Sequence, residues 1–486
     1  MAESCFAAVD LGAESGRVMV GRLANGRIGL TEAHRFPNIP VYAHGTLHWD
    51  ILRLWHEVQA GLAKVAADTR PAGIGVDTWG VDFALLTPDG TLLGNPVAYR
   101  DARTTGVPER LFTRLAKPRL YQATGIQTLV FNTIFQLASM TFASSPLLQQ
   151  AGHLLFIPDL LCYWLTGRLA TEYTIASTSQ MLDARARTWW QEALFAVGAP
   201  RVLFPEMITP ATAQSRWGQV PAAVGDALGV TDVPVLAVGS HDTASAVAAV
   251  PAEGDDWLYL SSGTWSLLGA EVDQPVLSQK AFGYNLTNEG GVGGKIRLLK
   301  NIAGMWLVQE CRREWARQGK EYDYATLTRM AAAAPSQTAI IEPDDAAFAT
   351  AGDMPAKIAE HCRQTGQPAP QDHATTVRVC LESLAVRYAK VVAMLEDATT
   401  KKYKKLHIVG GGSQNDLLNQ WAADATGLTV YAGPVEATAL GNVLSQAITT
   451  GQIGSLAEGR RLIAQSVAPK VFTPRNTERW QRYLRP

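Results

Sequence analysis

Short apolar runs that end in tight polar turns recur along the chain and predict buried strands. Residues 6–23 contain an apolar run, then Asp10 with a turn that holds two glycines, then a second run. Residues 257–271 repeat this arrangement with Ser-Ser-Gly-Thr as the turn. Because the two segments share one pattern, we expect two similar domains, at residues 1–244 and 245–486.

Segments with helical spacing alternate with these strands. Residues 50–68 place apolar side chains at every third or fourth position after a capping Asp50, and residues 375–397 do the same over a longer stretch. Helices between short buried strands are typical of an α/β fold. Residues 334–370 are rich in proline, alanine and aspartate and lack a clear period, so a long irregular surface segment is expected there.

One polar stretch stands between a predicted strand, 233–238, and a predicted helix of small residues, 244–250, and it contains His241 and Asp242. Ligands of open α/β sheets bind at the carboxyl ends of strands, and helix N-termini attract anions. Asp242 is therefore interpreted as a general base that acts on a hydroxyl beside a phosphate site. Aspartate is also a common helix N-cap, and both interpretations stay open at this point.

Three glycine-containing turns directly follow predicted strands, at residues 10–17, 261–264 and 410–415. Glycine lets backbone amides approach phosphate oxygens without a Cβ atom in the way, so the turns predict phosphate contacts. Asp10 at a strand end suits hydrated Mg²⁺, which takes one or two carboxylates and keeps several waters. Residues 289–296 lack the first glycine and the final hydroxyl of a GxxxxGK[ST] loop, and no GxGxxG joins a strand to a helix. Neither a P-loop nor a dinucleotide fold is expected.

The composition of the chain disfavours several classes of binding partner. The 486 residues carry a formal net charge of −1 without a basic stripe, which disfavours nucleic acid. No apolar run reaches about 18 residues, and the N-terminus lacks a basic leader region, so a cytoplasmic chain with no membrane partner is expected. The five cysteines are scattered without a CxxC pair, so neither a zinc site nor a disulfide framework is expected.

Seven segments together resemble the FGGY family of carbohydrate kinases, and the resemblance extends over nearly the whole chain. They are 9–18 (VDLGAESGRV), 75–83 (GVDTWGVDF), 96–101 (PVAYRD), 240–247 (SHDTASAV), 259–266 (YLSSGTWS), 299–302 (LKNI) and 407–415 (HIVGGGSQN). The resemblance implies two ribonuclease-H-like domains of the actin-like ATPase fold with a cleft between them. It assigns the sugar side to residues 1–244 and the nucleotide side to residues 245–486. The tail after about residue 466 is expected to pack back on the N-terminal domain.

The resemblance also implies roles for individual residues. Asp242 would accept the proton of the attacking sugar hydroxyl, and Asp10 would hold Mg²⁺ through water. The other residues are contacts to the ketose (Gly80, His241 and Thr243) and contacts to ATP (Ala13, Glu14, Ser15, Gly16, Arg17, Thr264, Asn301, Gln309 and Gly411). The family commonly has a hydroxyl residue where Glu14 stands, and a carboxylate there would repel phosphate unless it faces solvent. His241 could instead only hold its loop, by a hydrogen bond to backbone.

Within the family, Asp-Thr-Trp-Gly-Val-Asp at 77–82 and Ser-His-Asp-Thr at 240–243 point to a particular substrate. The resemblance implies that ATP, with Mg²⁺, phosphorylates the 1-hydroxyl of L-rhamnulose. The partners would be the ketose and ATP or ADP, and the chain would be a monomer or a homodimer. One alternative is a kinase of the same family for another ketose, such as L-fuculose or a pentulose. Another is an actin-like nucleotide switch that binds a protein and performs no sugar chemistry.

Overall fold

The computed structural model describes residues 3–336 and 338–484, and these form two compact units. Unit 1 contains the chain up to residue 253 together with residues 271–298 and 437–466. Unit 2 contains residues 254–270 and 299–436 and the chain from residue 467 onward. This division differs from the single predicted boundary between residues 244 and 245, because the chain leaves unit 1 after residue 253 and returns to it twice.

The strands are short and most lie in two mixed sheets. Those before residue 160 are β1 (Ser4–Leu11), β2 (Ser15–Ala24), β3 (Arg27–Pro37), β4 (Val41–Ala43), β5 (Thr46–His48), β6 (Ile74–Thr78), β7 (Phe83–Leu86) and β8 (His153–Phe156). The next are β9 (Thr171–Glu172), β10 (Leu182–Asp183), β11 (Thr188–Trp189), β12 (Met207–Ile208), β13 (Arg216–Gln219) and β14 (Pro234–Leu236). The last are β15 (Trp257–Ser262), β16 (Ser266–Val272), β17 (Thr287–Gly290), β18 (Ile296–Ile302), β19 (Lys405–Val409), β20 (Thr429–Ala432) and β21 (Lys470–Phe472).

The helices alternate with these strands. Up to residue 250 they are α1 (Ile51–Asp68), α2 (Val107–Phe112), α3 (Lys117–Thr124), α4 (Thr133–Phe142), α5 (Pro146–Gln150), α6 (Ile157–Thr166), α7 (Tyr173–Ser177), α8 (Gln191–Ala196), α9 (Ala222–Gly225) and α10 (Asp242–Ala248). After it they are α11 (Gln279–Gly283), α12 (Trp306–Arg317), α13 (Tyr324–Ala333), α14 (Met354–Gln364), α15 (His373–Thr399), α16 (Asp416–Thr426), α17 (Ala437–Thr449), α18 (Leu456–Ser466) and α19 (Glu478–Gln481). Within the described residues, no helix combines the length and apolar character that crossing a membrane requires.

The main sheet of unit 1 runs in the order β13–β14–β6–β1–β2–β3. Strand β1 pairs antiparallel with β2 and parallel with β6, and β6 pairs parallel with β14. Asp10 on β1 is the register partner of Asp77 on β6, and Thr78 bridges to His241 just beyond β14. The carboxyl ends of neighbouring parallel strands therefore bring these polar residues to one edge of the sheet.

Helix α17 completes unit 1 by packing closely on this sheet and on α10. A Cβ atom on Gly75 would lie 2.4 Å from Asn442 Oδ1, and one on Gly21 would lie 2.3 Å from a methyl group of Val443. A Cβ atom on Gly441 would lie only 1.8 Å from the backbone oxygen of Ser245 in α10. These contacts agree with the division of the chain, which places residues 437–466 in unit 1.

In unit 2, β15 pairs parallel with β19 and antiparallel with β16, and β19 pairs parallel with β20. The tail adds β21 to the same sheet, since Val471 pairs antiparallel with Tyr431 of β20. The expectation that the tail packs on the N-terminal domain is therefore wrong. The tail instead satisfies the backbone groups of β20, which would otherwise be an open sheet edge.

The predicted helix at 375–397 is confirmed and is longer than expected, since α15 spans 27 residues. The irregular segment expected at 334–370 is only partly irregular, because it contains α14. Asp353 caps this helix by accepting a hydrogen bond from Ala356 N, and Met354, Ile358 and Cys362 form its buried face. Their spacing of four residues is a helical signal that the proline and alanine content of the segment obscured.

Candidate active site

The first turn of unit 1 is built around an ion pair. Arg17 donates two hydrogen bonds to Asp10 Oδ2, from Nε at 2.9 Å and from Nη2 at 2.6 Å. Gly12 N donates to Ser15 O and closes the turn between them, and Gly16 packs so tightly that a Cβ atom would lie 2.3 Å from the Phe36 ring. Arg17, which sequence reasoning assigned to phosphate, thus neutralises the carboxylate that it assigned to Mg²⁺.

Glu14 occupies the tip of this turn and is exposed. The difficulty that a carboxylate would cause beside phosphate is therefore reduced, because the residue lies where water can screen its charge. The backbone of the turn is held from behind by Asn38, whose N donates to Glu14 O and whose Nδ2 donates to Gly12 O.

Asp77 lies beside Asp10 and is completely buried. Its Oδ2 accepts a hydrogen bond of 2.6 Å from Asn442 Nδ2, whereas its Oδ1 has no partner in the described part of the chain. Burial, and then the negative charge of Asp10, raise the pKa of Asp77 well above its ordinary value. Sequence reasoning missed this polar contact, although Asn442 and Gln446 stand out as amides four residues apart on a helix of small apolar residues.

Asp242 is the first residue of α10, and His241 is the N-cap, although its side chain does not cap the helix. Asp242 Oδ1 accepts hydrogen bonds from Thr243 N at 2.5 Å and from Thr243 Oγ1 at 3.0 Å. Among the described residues none donates a hydrogen bond to Asp242 Oδ2, and the side chain is 30% exposed. Desolvation raises the pKa of Asp242; His241 opposes this effect and Asp10 adds to it. One carboxylate oxygen is thus held by the helix and the other is available.

His241 lies next to Asp242 and Gly80, and the contact of these residues with a ketose stays a prediction. Its Nε2 is 3.4 Å from Asp242 Oδ1 and 3.3 Å from the position that a Cβ atom on Gly80 would take. The backbone N of His241 donates to Thr174 Oγ1. The ring of His241 is contacted by side chains in the described structure, and not by the backbone acceptor that the alternative interpretation required.

A buried ion pair stands behind the His241 ring and was not found from the sequence. Arg297 Nη2 lies 3.0 Å from His241 Nδ1 and 3.1 Å from Glu289 Oε2. Arg297 also donates from Nε to Gly290 O at 2.8 Å. The available signal was an arginine within the apolar run of β18, where a charged residue is unusual unless it is paired.

A buried glutamate holds the segment that leads into α10. Glu172 Oε2 accepts from Ser240 N at 3.1 Å and from Thr174 Oγ1 at 2.6 Å. Because Thr174 also binds His241 N, the two residues fix consecutive amides of the segment that carries Asp242. Burial raises the pKa of Glu172 to about 7.

The predicted nucleotide contacts of unit 2 lie around the turn after β15. Trp306 N donates to Thr264 O at 3.1 Å, which ties the turn to the start of α12, and Gln309 follows on this helix. Gln309 Oε1 is buried and has no hydrogen-bond partner within the described residues. Such an acceptor is unfavourable unless a ligand or water binds it.

The glycine run of unit 2 lies against the same turn. A Cβ atom on Gly412 would lie 2.0 Å from Ser262 Oγ, so only glycine allows this approach. Gly411 faces open space, with no atom within 4 Å of a Cβ position. Asn301 lies near the end of β18, three residues before Gly304, which packs against Thr264 O. The four predicted residues of unit 2 are thus carried by segments that converge on one turn.

Comparison with known proteins identifies relatives of the whole chain. Residues 5–249 match the N-terminal domain of the FGGY family of carbohydrate kinases, and residues 258–450 match its C-terminal domain. A rhamnulokinase of Bacteroides thetaiotaomicron is 45% identical over 476 residues, which cover 98% of this chain and 97% of that protein. A rhamnulokinase of Pectobacterium carotovorum is 43% identical over 478 residues, covering 98% and 94%.

Solved structures of lower identity share the fold. A ligand-bound xylulose kinase from Lactobacillus acidophilus superposes with a TM-score of 0.81 at 18% identity, covering 99% of this chain and 96% of that one. A Plasmodium falciparum glycerol kinase with ADP has a TM-score of 0.75 at 16% identity, with the same coverage. The predicted α/β fold with two ribonuclease-H-like domains is confirmed by these likenesses. With both family domains matched across most of its length, the chain belongs to the FGGY family of carbohydrate kinases.

Proposed function

We propose that this chain transfers the terminal phosphoryl group of ATP to the 1-hydroxyl of L-rhamnulose. Six relatives that are 39–45% identical to it are rhamnulokinases. The observation that carries the proposal is Asp242, whose Oδ2 is available at a strand end beside His241. Phosphoryl transfer asks for positioning and charge neutralisation more than for covalent chemistry, so one base and its neighbours suffice on the sugar side.

In this proposal Asp242 Oδ2 accepts the proton of the attacking hydroxyl. The raised pKa of Asp242 brings the carboxylate closer to the operating pH, where a general base is most effective. Thr243 holds Oδ1 through two hydrogen bonds, so the carboxylate keeps one orientation while Oδ2 takes the proton. Gly80 leaves room beside His241 Nε2, where a side chain would intrude on a sugar hydroxyl.

We assign ATP to the residues that the sequence indicated. In unit 1 these are the turn residues Ala13 to Arg17, and in unit 2 they are Thr264, Asn301, Gln309 and Gly411. The partnerless Gln309 Oε1 and the open space at Gly411 support a ligand there. Residues 1–244 would serve the sugar and, through the turn at 13–17, the phosphates of ATP, whereas residues 245–486 would form the nucleotide side.

The residues at the edge of the unit 1 sheet fit Mg²⁺. Asp10 and Asp77 are register neighbours, and Asp77 Oδ1 lacks a partner in the described structure. No group of three or more His, Cys, Asp or Glu side chains in the described residues is arranged to cage a metal. Mg²⁺ often binds through only one or two carboxylates and keeps its waters. Asp10 would hold the ion, which would neutralise phosphate charge.

The substitution Asp242→Asn tests the proposed base. Removing the carboxylate should lower ketose-dependent ADP release by about 10²–10⁴-fold, the usual contribution of a general base, while ATP binding persists. Asp416→Asn is a matched control, because Asp416 is also the first residue of a helix and is half exposed. Turnover of the Asp242 variant within a few-fold of wild type would exclude the proton-accepting role.

A panel of ketoses tests the substrate. ADP release should be stimulated most strongly by L-rhamnulose, because discrimination among hydroxyl epimers depends on a few hydrogen bonds in the pocket. Stronger stimulation by L-fuculose or a pentulose would assign another substrate to the same site. ADP release that no ketose changes would instead favour a nucleotide switch.

A further inference from the structure

The buried pair of Arg297 and Glu289 gives His241 an environment that fixes where its proton lies. Arg297 is fully buried on β18, and Glu289 on β17 is 5% exposed. Arg297 is itself fixed by the hydrogen bond from its Nε to Gly290 O. Its Nη1 has no hydrogen-bond partner in the described residues, so burying this guanidinium costs desolvation free energy that its contacts do not fully offset.

The chemistry of the guanidinium decides the direction of the contact. Arginine nitrogens only donate hydrogen bonds, so Arg297 Nη2 at 3.0 Å from His241 Nδ1 requires a lone pair on Nδ1. Glu289 Oε2 lies farther from Nδ1, at 3.3 Å, and is 3.1 Å from Arg297 Nη2, with which it forms the ion pair. Glu289 therefore supplies the negative charge that balances Arg297. Burial raises the pKa of Glu289, but the positive charge of Arg297 lowers it, and the net shift is downward.

We propose that Arg297, balanced by Glu289, holds His241 as the neutral tautomer with its proton on Nε2. The proton then points toward Asp242 Oδ1, 3.4 Å away, and toward the space beside Gly80. Arg297 Nη2 is within hydrogen-bond distance of His241 Nδ1, and on the other side of the ring His241 Nε2 faces Asp242 Oδ1 at the longer distance of 3.4 Å. Arg297 is thus a positioning residue for the proposed kinase reaction, one side chain removed from the reacting groups.

The two oxygens of the Asp242 carboxylate have different surroundings. Oδ1 accepts two hydrogen bonds from Thr243 and faces the His241 ring at 3.4 Å, so Oδ2 remains the atom that takes the substrate proton. The Nε2 hydrogen also offers a donor to an oxygen of the ketose. The opposite tautomer would turn a lone pair toward Asp242 and remove that donor.

Nitrogen NMR of the full chain, labelled with ¹⁵N in the histidine rings, tests the proposal directly. The signals of His241 are identified by their loss in His241→Gln. We expect the shift of a protonated nitrogen for Nε2 and of an unprotonated one for Nδ1. A protonated Nδ1 in the wild-type protein near neutral pH, as the other tautomer or as imidazolium, overturns the proposal. This measurement needs no substrate, so its result does not depend on whether the chain phosphorylates a sugar.

Variants of the pair provide the functional readout. Removing Arg297 alone would strand a buried carboxylate, so the double variant Arg297→Met with Glu289→Gln is used to keep the unit folded. It should populate the Nδ1–H tautomer and raise KM for the ketose about tenfold, the value of one lost hydrogen bond, with KM for ATP unchanged. Arg297→Lys keeps a cationic donor and should recover part of the loss. A folded double variant with the wild-type tautomer and ketose KM overturns the proposal.

Discussion

Gly441 is the position where one added methyl group should disturb both the stability and the catalytic geometry of unit 1. It lies within α17, and a Cβ atom there would be 1.8 Å from Ser245 O and 2.5 Å from Ser245 C. The obstructing atoms are backbone, so no side-chain rotation can relieve the clash. Restoring an ordinary contact of 3.4 Å requires α10 and α17 to separate by about 1.6 Å.

The size of the effect follows from two opposed contributions. Alanine in a helix interior is favoured over glycine by up to about 1 kcal/mol. Overpacking a tight contact costs about 1–3 kcal/mol, and more when the backbone must move. We therefore expect Gly441→Ala to lower the free energy of unfolding by about 1–2 kcal/mol. Since α10 begins at Asp242, a shift of about 1 Å should also lower kcat by up to about 10²-fold.

Urea unfolding and steady-state kinetics measure the two effects. Gly283→Ala is the control, because Gly283 is the last residue of α11 and has no atom within 4 Å of a Cβ position. The control should be neutral or slightly stabilising. If Gly441→Ala unfolds at the wild-type urea concentration with kcat within twofold of wild type, the close packing of α10 on α17 does not position Asp242.

Two further predictions concern buried charges. The pKa of Glu172 is raised from 4.5 to about 7 in the folded chain, so its stabilising contribution is full below about pH 4.5 and is lost as pH rises through 7. Between about pH 4.5 and 7, the free energy of unfolding of wild type, measured with urea, should fall by roughly 3 kcal/mol relative to that of Glu172→Gln. Parallel curves of unfolding free energy against pH for the two proteins would contradict this. Arg17→Met leaves the buried Asp10 carboxylate without its ion-pair partner and should lower the free energy of unfolding by about 3 kcal/mol. Arg17→Lys should lose less, and equal urea midpoints for wild type and Arg17→Met would refute a stabilising Arg17–Asp10 pair.

The polar residues at strand ends could be predicted because each follows a buried apolar run. Asp10 and Asp242 were found in this way, and a parallel sheet brings its carboxyl ends to one edge. Which family the chain belongs to followed from several such segments together, and the comparisons confirm it. The roles of the individual residues stay predictions until variants are measured.

Contacts that depend on pairing between distant segments could not be predicted. Asp77 and Asn442 are separated by 365 positions and meet only because α17 packs on the sheet. Arg297 reaches His241 across 56 positions through the placement of β18. The tail was misplaced for the same reason, since nothing local in residues 470–472 specifies which sheet edge they complete.

Because residues 437–466 return to unit 1, part of this unit is synthesised long after the rest. The N-terminal half emerges from the ribosome long before α17, whose residues cover the glycine-lined face of the sheet. At about 5–20 residues per second, roughly 20–70 s separate the synthesis of residue 75 from that of residue 442. During that interval the face around Gly21 and Gly75 is uncovered, and the Asp77 carboxylate lacks its amide donor. Unit 1 is therefore complete only after residues 437–466 have been made.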